Sequence, residues 1–153
     1  MAIENWQKET RDGIWKAVRA DSFFLGLGGT QYDFSGKGLL KKLEIKPAHC
    51  PVLAIGPAGG RLMTIGRKAV DTDAYRIAVQ VATAVDVGEC EAIVLEFCRV
   101  LEDYWPALAL VRGGRLYEIE VTELDYSLHP SDKEPRPLWS AEFILVCKYR
   151  TRS

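Results

Sequence analysis

Residues 138–150 read LWSAEFILVCKYR, in which Trp139, Ala141, Phe143, Leu145, Cys147 and Tyr149 alternate with Leu138, Ser140, Glu142, Ile144, Val146 and Lys148. A period of two sustained over a dozen residues fits a β-strand and no helix. A second such run, RLYEIEVTELDY, puts Tyr117, Ile119 and Val121 on one face and Glu118, Glu120 and Thr122 on the other. Ordinary strands have roughly 5–6 residues. At about 3.3 Å per residue these two would reach roughly 40 Å, against a radius of gyration near 15 Å for a compact chain of this size. A hairpin so long either projects beyond its own sheet, where a neighbour would stabilise it, or bends strongly over the core.

The rest of the chain supplies that core. WQKETRDGIWKAVRA predicts a helix over about residues 5–20, capped by Asn5. Trp6, Thr10, Gly13, Ile14, Ala17 and Val18 share its inner face, and Trp15 lies on the other side, either as a contact surface or as a second buried flank. Phe23–Gly38, FFLGLGGTQYDFSGKG, reads as a glycine-rich loop, and LLKKLEIKP as a short strand. Pro51–Ile55 reads as a buried strand opened by proline, and 56–74 as a looser region. YRIAVQVAT is a strand with Tyr75, Ile77, Val79 and Val81 on one face. Asp86 with Glu89 forms a capping-box-like start to a helix whose stripe is Ile93, Phe97, Val100, Leu101 and Tyr104. Glu96, Arg99, Glu102 and Asp103 face water, and Pro106 stops the helix. SLHPSDKEPRP is a polar connection. The order predicts a single α+β domain over 1–153: a mixed, mostly antiparallel sheet, two main helices on one face and a long C-terminal strand pair.

Hydrophobic residues make up 48% of the 153, enough for a buried core, and the net charge of −1 argues against a generally basic nucleic-acid binder. The charge is divided, however. Residues 1–68 hold 11 Lys/Arg and 6 Asp/Glu, whereas 69–153 hold 9 and 15. The two halves either neutralise each other inside one domain or serve head-to-tail docking between copies. The N-terminal stretch lacks the apolar core of a signal peptide and no apolar run approaches the roughly 18 residues of a membrane span. A soluble, cytosolic product with no membrane contact is the expectation.

Catalytic patterns fail on spacing. A phosphate loop needs four residues between its glycines and a hydroxyl after the lysine, so that backbone N–H groups surround the phosphate and the hydroxyl holds magnesium. Here six residues separate Gly29 from Gly36, and Gly38 follows Lys37. The dinucleotide pattern begun by Gly26 and Gly28 breaks at Gln31. No G-x-S-x-G elbow surrounds Ser35. His49 and Cys50 are adjacent, so on extended chain they point apart. Asp71 and Asp73 suit a turn before a strand. Cys50, Cys90, Cys98 and Cys147 form no C-x-x-C pair, and with His49 and His129 as the remaining soft ligands they predict buried thiols rather than zinc. Lys37, Lys41 and Lys42 near Tyr32 and Phe34 make only a thin basic patch. The sequence therefore predicts no enzyme, cofactor or metal, with a small enzyme or ligand-binding domain around His49, Cys50 and Asp73 as the competing class.

The layout resembles the tail terminator (tail completion) proteins of long-tailed bacteriophages and prophages. The features that carry the likeness are the helix WQKETRDGIWKAVRA, the proline-led strand CPVLAIGPAG, the strand–cap–helix YRIAVQVATAVDVGECEAIVLEFCRVLE, and the final pair RLYEIEVTELDY and LWSAEFILVCKY. The resemblance implies a non-enzymatic virion subunit, assembled in the host cytoplasm into a ring, usually hexameric. It implies that the ring caps the head-proximal end of the tail tube and stops tube growth. Its partners would then be other copies, the tail tube protein and the head–tail connector, with DNA passing through the lumen without sequence-specific binding. A head–tail connector or neck subunit is the near alternative. Tyr32, Phe34, Arg61, Arg67, Lys68 and the loop around His129 are the interface residues this reading selects; the glycine-rich loop and SLHPSDKEPRP depart from the family layout.

Overall fold

The computed structural model describes residues 5–28, 30–33, 50–59, 72–110, 115–129 and 138–150, with backbone alone at 30–33, 72–73 and 128–129. Helix α1 (Trp6–Ala20) turns into the short α2 (Ser22–Gly26); strands β1 (Thr30–Asp33), β2 (Val52–Pro57) and β3 (Thr72–Thr83) follow. Then come α3 (Val87–Asp103), α4 (Trp105–Leu108), β4 (Leu116–His129) and β5 (Leu138–Arg150). One five-stranded sheet has the order β1-β2-β3-β5-β4. β1 and β2 are parallel and every other pair is antiparallel. This is the mixed, mostly antiparallel α+β sheet that the alternating runs predict.

Burial follows the alternation. Tyr75, Ile77, Val79 and Val81 of β3 and Ala141, Phe143, Leu145, Cys147 and Tyr149 of β5 are buried on one face. Against them pack Ile14, Ala17 and Val18 of α1 and Ile93, Val94, Phe97, Val100 and Leu101 of α3. Phe97 meets Phe143 edge to face with centroids 5.6 Å apart, a geometry that adds to the area both rings bury. The two main helices thus share one side of the sheet.

Helix ends follow local chemistry. The Asn5 side chain accepts from the Lys8 amide at 3.0 Å, satisfying one of the donors a helix start leaves open. Asp86 does the same for the Glu89 amide at 2.8 Å. Glu89, however, does not close a capping box; its carboxylate accepts from the Thr83 hydroxyl at 2.7 Å and ties α3 to the end of β3. Pro106 follows the end of α3, and the chain then makes one more turn as α4, with the proline in its first turn, where no amide is missed.

One expectation changes and two open ones are decided. The stretch 23–38 is not one loop: α2 and β1 occupy part of it, and Phe24 is buried. The strand predicted for LLKKLEIKP lies outside the described residues. Trp15 is not an exposed contact but packs half-buried against the core, because a helix lying on a sheet buries its flanks as well as its centre line. The hairpin does not project. β3 pairs with β5 from Thr72↔Arg150 to Thr83↔Trp139, so a third long strand backs it along nearly its whole length.

Arg11, also unforeseen, is buried on α1 with 9% of its surface exposed. Its guanidinium donates to the Tyr75 hydroxyl at 2.6 Å and lies 5.8 Å from that ring's centre. Beside it the Thr10 hydroxyl donates to the Trp6 carbonyl at 2.8 Å and is hydrogen-bonded to Tyr149. Together these polar groups fasten the start of α1 to β3 and β5.

Candidate assembly surface

The sheet is widest where it is least covered. Among the described residues β4, with 14 residues, is an edge strand that pairs with β5 alone. Its ladder slips twice, between Leu116 and Glu118 and between Thr122 and Asp125. Glu123, in the second irregularity, has φ 55, the left-handed region that costs a side chain roughly 1–2 kcal/mol.

The second slip has a consequence for the faces. Before it, Ile119 and Val121 stand opposite Cys147 and Leu145; after it, Tyr126 stands opposite Ala141. Cross-strand partners share a face, so an odd-numbered set and then an even-numbered one both point to the helix side. The extra residue keeps β4 apolar on that side along its length. No helix covers it fully: Val121, Leu124 and Tyr126 are 40%, 45% and 39% exposed.

Between α3 and β4 runs a groove of about 500 Å³ lined by Cys98, Leu101, Trp105, Tyr117, Ile119 and Val121, with exposed Glu102 and Glu118. Leu95, 70% exposed, lies on the same flank of α3 as Glu91, Cys98 and Glu102, by the 3.6-residue turn. Burial pushes the Cys98 thiol up. Burial, and then the Glu91 carboxylate, push the Tyr126 hydroxyl up. The groove is therefore apolar at its floor and acidic around it.

The opposite face of the sheet is also acidic. Asp125 and Glu142 stand directly across from each other, an unfavourable pairing of like charges. Arg76 pairs with Glu123, and Lys148 lies 3.0 Å from Glu120 and 3.3 Å from Glu118. A second hollow of about 520 Å³ lies here between Arg76, Gln80, Glu123, Asp125, Glu142 and Ile144. The acidic excess of residues 69–153 is thus shared between the β4–β5 pair and α3, whose acids Glu91, Glu96, Glu102 and Asp103 outnumber its one cation, Arg99.

On the other flank of α3, Arg99 binds Glu96 and Asp103 and reaches Asp21 at 3.0 Å. The Arg99 hydrogen bond holds the Glu96 carboxyl below its ordinary range. This cluster pins the α1–α2 corner to α3.

The residues selected from sequence are not brought together by the described part of the structure. Tyr32 lies on β1 and His129 at the end of β4, with their side chains undescribed, and Phe34, Arg61, Arg67 and Lys68 lie outside the described residues. His49 is also outside, and of Asp73 only the backbone is described. Cys50 is half-buried with its thiol pushed up by burial and then Glu89, which favours the protonated, unreactive form. Among the described residues no group of three or more His, Cys, Asp or Glu is placed to hold a metal ion, and no helix is long and apolar enough to cross a membrane. The groove itself escaped sequence reading. Its one signal was Leu95, an apolar residue off the stripe of a helix otherwise cleanly divided.

Fold and surface define an α+β subunit with one broad, partly apolar sheet edge. No protein-family model matches the chain, and no curated protein does. Among solved structures, it is similar to a chain of the "Virion of native gene transfer agent (GTA) particle", with 10% identity, a TM-score of 0.47, and coverage of 92% of this chain and 93% of that one. At that score the likeness decides nothing about function.

Proposed function

We propose that this chain is a structural subunit of a tailed, phage-like virion, and specifically a tail terminator. In this reading it forms a ring, hexameric as the resemblance implies, on the head-proximal end of the tail tube. The ring stops tube growth, presents a surface to the head connector and leaves a lumen for DNA. The observation that carries the reading is the β4 edge: the longest strand of the sheet lies outermost, with apolar side chains exposed on one face. Monomeric proteins usually make edge strands short or cover them, and exposed apolar surface rimmed by polar groups marks a contact site. The divided charge fits contacts between unlike patches of neighbouring copies, the kind that close a ring.

Electron microscopy of purified protein mixed with tail tubes tests this. The expected result is a ring with a central hole on one end of each tube. Protein that never binds tube ends overturns it. A ring seated only on the head connector would assign the chain to the neck instead.

A further inference from the structure

We infer that the groove between α3 and β4 is the acceptor for a second copy of this chain, and that the donor is the α1–α2 corner carrying Leu25. This deepens the ring reading and rests on it. The groove is apolar with exposed Glu102 and Glu118 in its wall, so its partner needs a protruding apolar side chain flanked by positive charge.

The exposed large apolar residues outside the groove are Leu25, Val85, Val87, Tyr104 and Leu110 among the described residues. Val85 and Val87 flank Asp86, and Tyr104 follows Asp103, so their settings repel an acidic groove; Leu110 closes the turn after α4, whose Trp105 lines the groove itself, and so sits on the acceptor side. Leu25 is 71% exposed in the corner that follows the exposed Lys16 and Arg19 of α1. Asp21, the corner's own acid, is already engaged by Arg99. Lys16 and Arg19, on the helix that leads into this corner, therefore bring positive charge to the negative groove, a complementarity that orients and selects the contact.

Donor and acceptor lie on opposite flanks of α3. Arg99 and Glu96 hold the corner on one side, and Cys98 and Glu102 wall the groove on the other. One copy cannot satisfy itself, and the contact is head to tail, so it propagates until the rotation closes.

Cys98 in the groove wall gives a direct test. Leu25→Cys places a thiol on the donor, and a short bismaleimide should link it to Cys98 of the next copy, giving a ladder of covalent oligomers on a denaturing gel. The ladder should vanish in Leu25→Cys/Cys98→Ser, while circular dichroism stays unchanged because Leu25 is exposed. Glu102→Lys should weaken self-association severalfold in sedimentation, and Arg19→Glu in the same chain should restore it. Larger species in sedimentation without a Cys98-dependent ladder overturn this docking and leave the ring intact. Monomers even at millimolar concentration also overturn it, since the contact needs only this chain; rings on tube ends would then still stand, and their absence would remove both readings.

Discussion

The two edges of the sheet are built differently. β1 has 4 residues, runs parallel to β2 and leaves few backbone groups unpaired. β4 has 14, and about half of its backbone groups point away from the sheet. Length alone would make β4 a template for indiscriminate pairing. Two ladder slips and the acidic residues Glu118, Glu120 and Asp125 interrupt it, which are ordinary protections of an edge. Yet its helix-side face keeps Val121 and Tyr126 partly in water. The contrast teaches that β1 is an end, whereas β4 is guarded along its backbone and open through its side chains, as suits docking to one partner.

The strongest way to break the comparison is to remove what holds β4 in place. β4 rests on β5, and Phe143 is the β5 ring set against Phe97 of α3. Phe143→Ala should cost about 3–5 kcal/mol through lost burial and the cavity left behind, read from the denaturant midpoint. Hydrogen exchange should show β4 amides losing protection more than those of β2. Equal loss at both would mean the sheet opens as one unit and the edges do not differ in stability.

Alkaline pH should loosen the same strand pair. Cys147 of β5 stands opposite Ile119 of β4, and burial pushes its thiol up to about 12. An unfolded thiol ionises near about 8.5, and each unit between the two values is worth about 1.4 kcal/mol. The folded state disfavours the thiolate, so this contribution is fully present below the unfolded value and is lost as pH rises from there towards about 12. Cys147→Val should flatten the fall in stability between neutral pH and pH of about 10.5. An unchanged slope would assign the fall to Cys90, pushed up to about 11 by burial and then Glu89, or to other groups.

Much of this contrast was legible from residues, and the part that was not has a physical reason. Period-two runs gave β3, β4 and β5, and the 3.6-residue stripe of Ile93, Phe97, Val100 and Leu101 gave α3, because one-sided burial writes its period into the chain. The course of the hairpin stayed open because the sequence pattern marks only Tyr75–Thr83, whereas β3 extends back to Thr72 through Asp73, a turn-like residue that pairing with Tyr149 overrides. β1 was missed because TQYD carries no alternation of its own; its pairing with β2 makes it a strand. Arg11 was missed because charge predicts exposure, whereas the Tyr75 hydroxyl and ring help make its burial tolerable. The groove was missed although Tyr117, Ile119 and Val121 were legible as one face, because a period of two does not tell how far α3 and Trp105 stand from that face; past the slip at Glu123, strict alternation assigns Tyr126 to the wrong face.

Side-chain openness at β4 can be separated from stability. Val121→Lys places a charge in the groove at a residue already 40% exposed, so its effect on folding should stay within about 0.5 kcal/mol. Ring assembly should nevertheless fail in electron microscopy. Val85→Lys, at a residue 63% exposed and outside the groove, is the matched control and should assemble normally. If both variants assemble, the β4 face is not the contact.

The smallest expected effect bears on what guards the backbone. Glu123 holds φ 55 and pairs with the half-buried Arg76, its own side chain exposed. Glu123→Gly relieves the left-handed strain but gives up the ion pair, and exposed pairs contribute about 0–1 kcal/mol. The two effects oppose, so the denaturant midpoint should barely move. Glu123→Val removes the same pair but keeps a side chain, now branched, in a conformation it resists, so it should be less stable than Glu123→Gly by about 1–2 kcal/mol. Strain there also favours a regular ladder, and a one-residue slip would turn Tyr126 to the other face. Light scattering should then show more self-association of the disordered kind for the valine variant than for glycine. A valine variant as stable and as monodisperse as the glycine one would mean that the slip in the ladder is held by its neighbours, Thr122↔Ile144 and Asp125↔Glu142, and not by the residue at its centre.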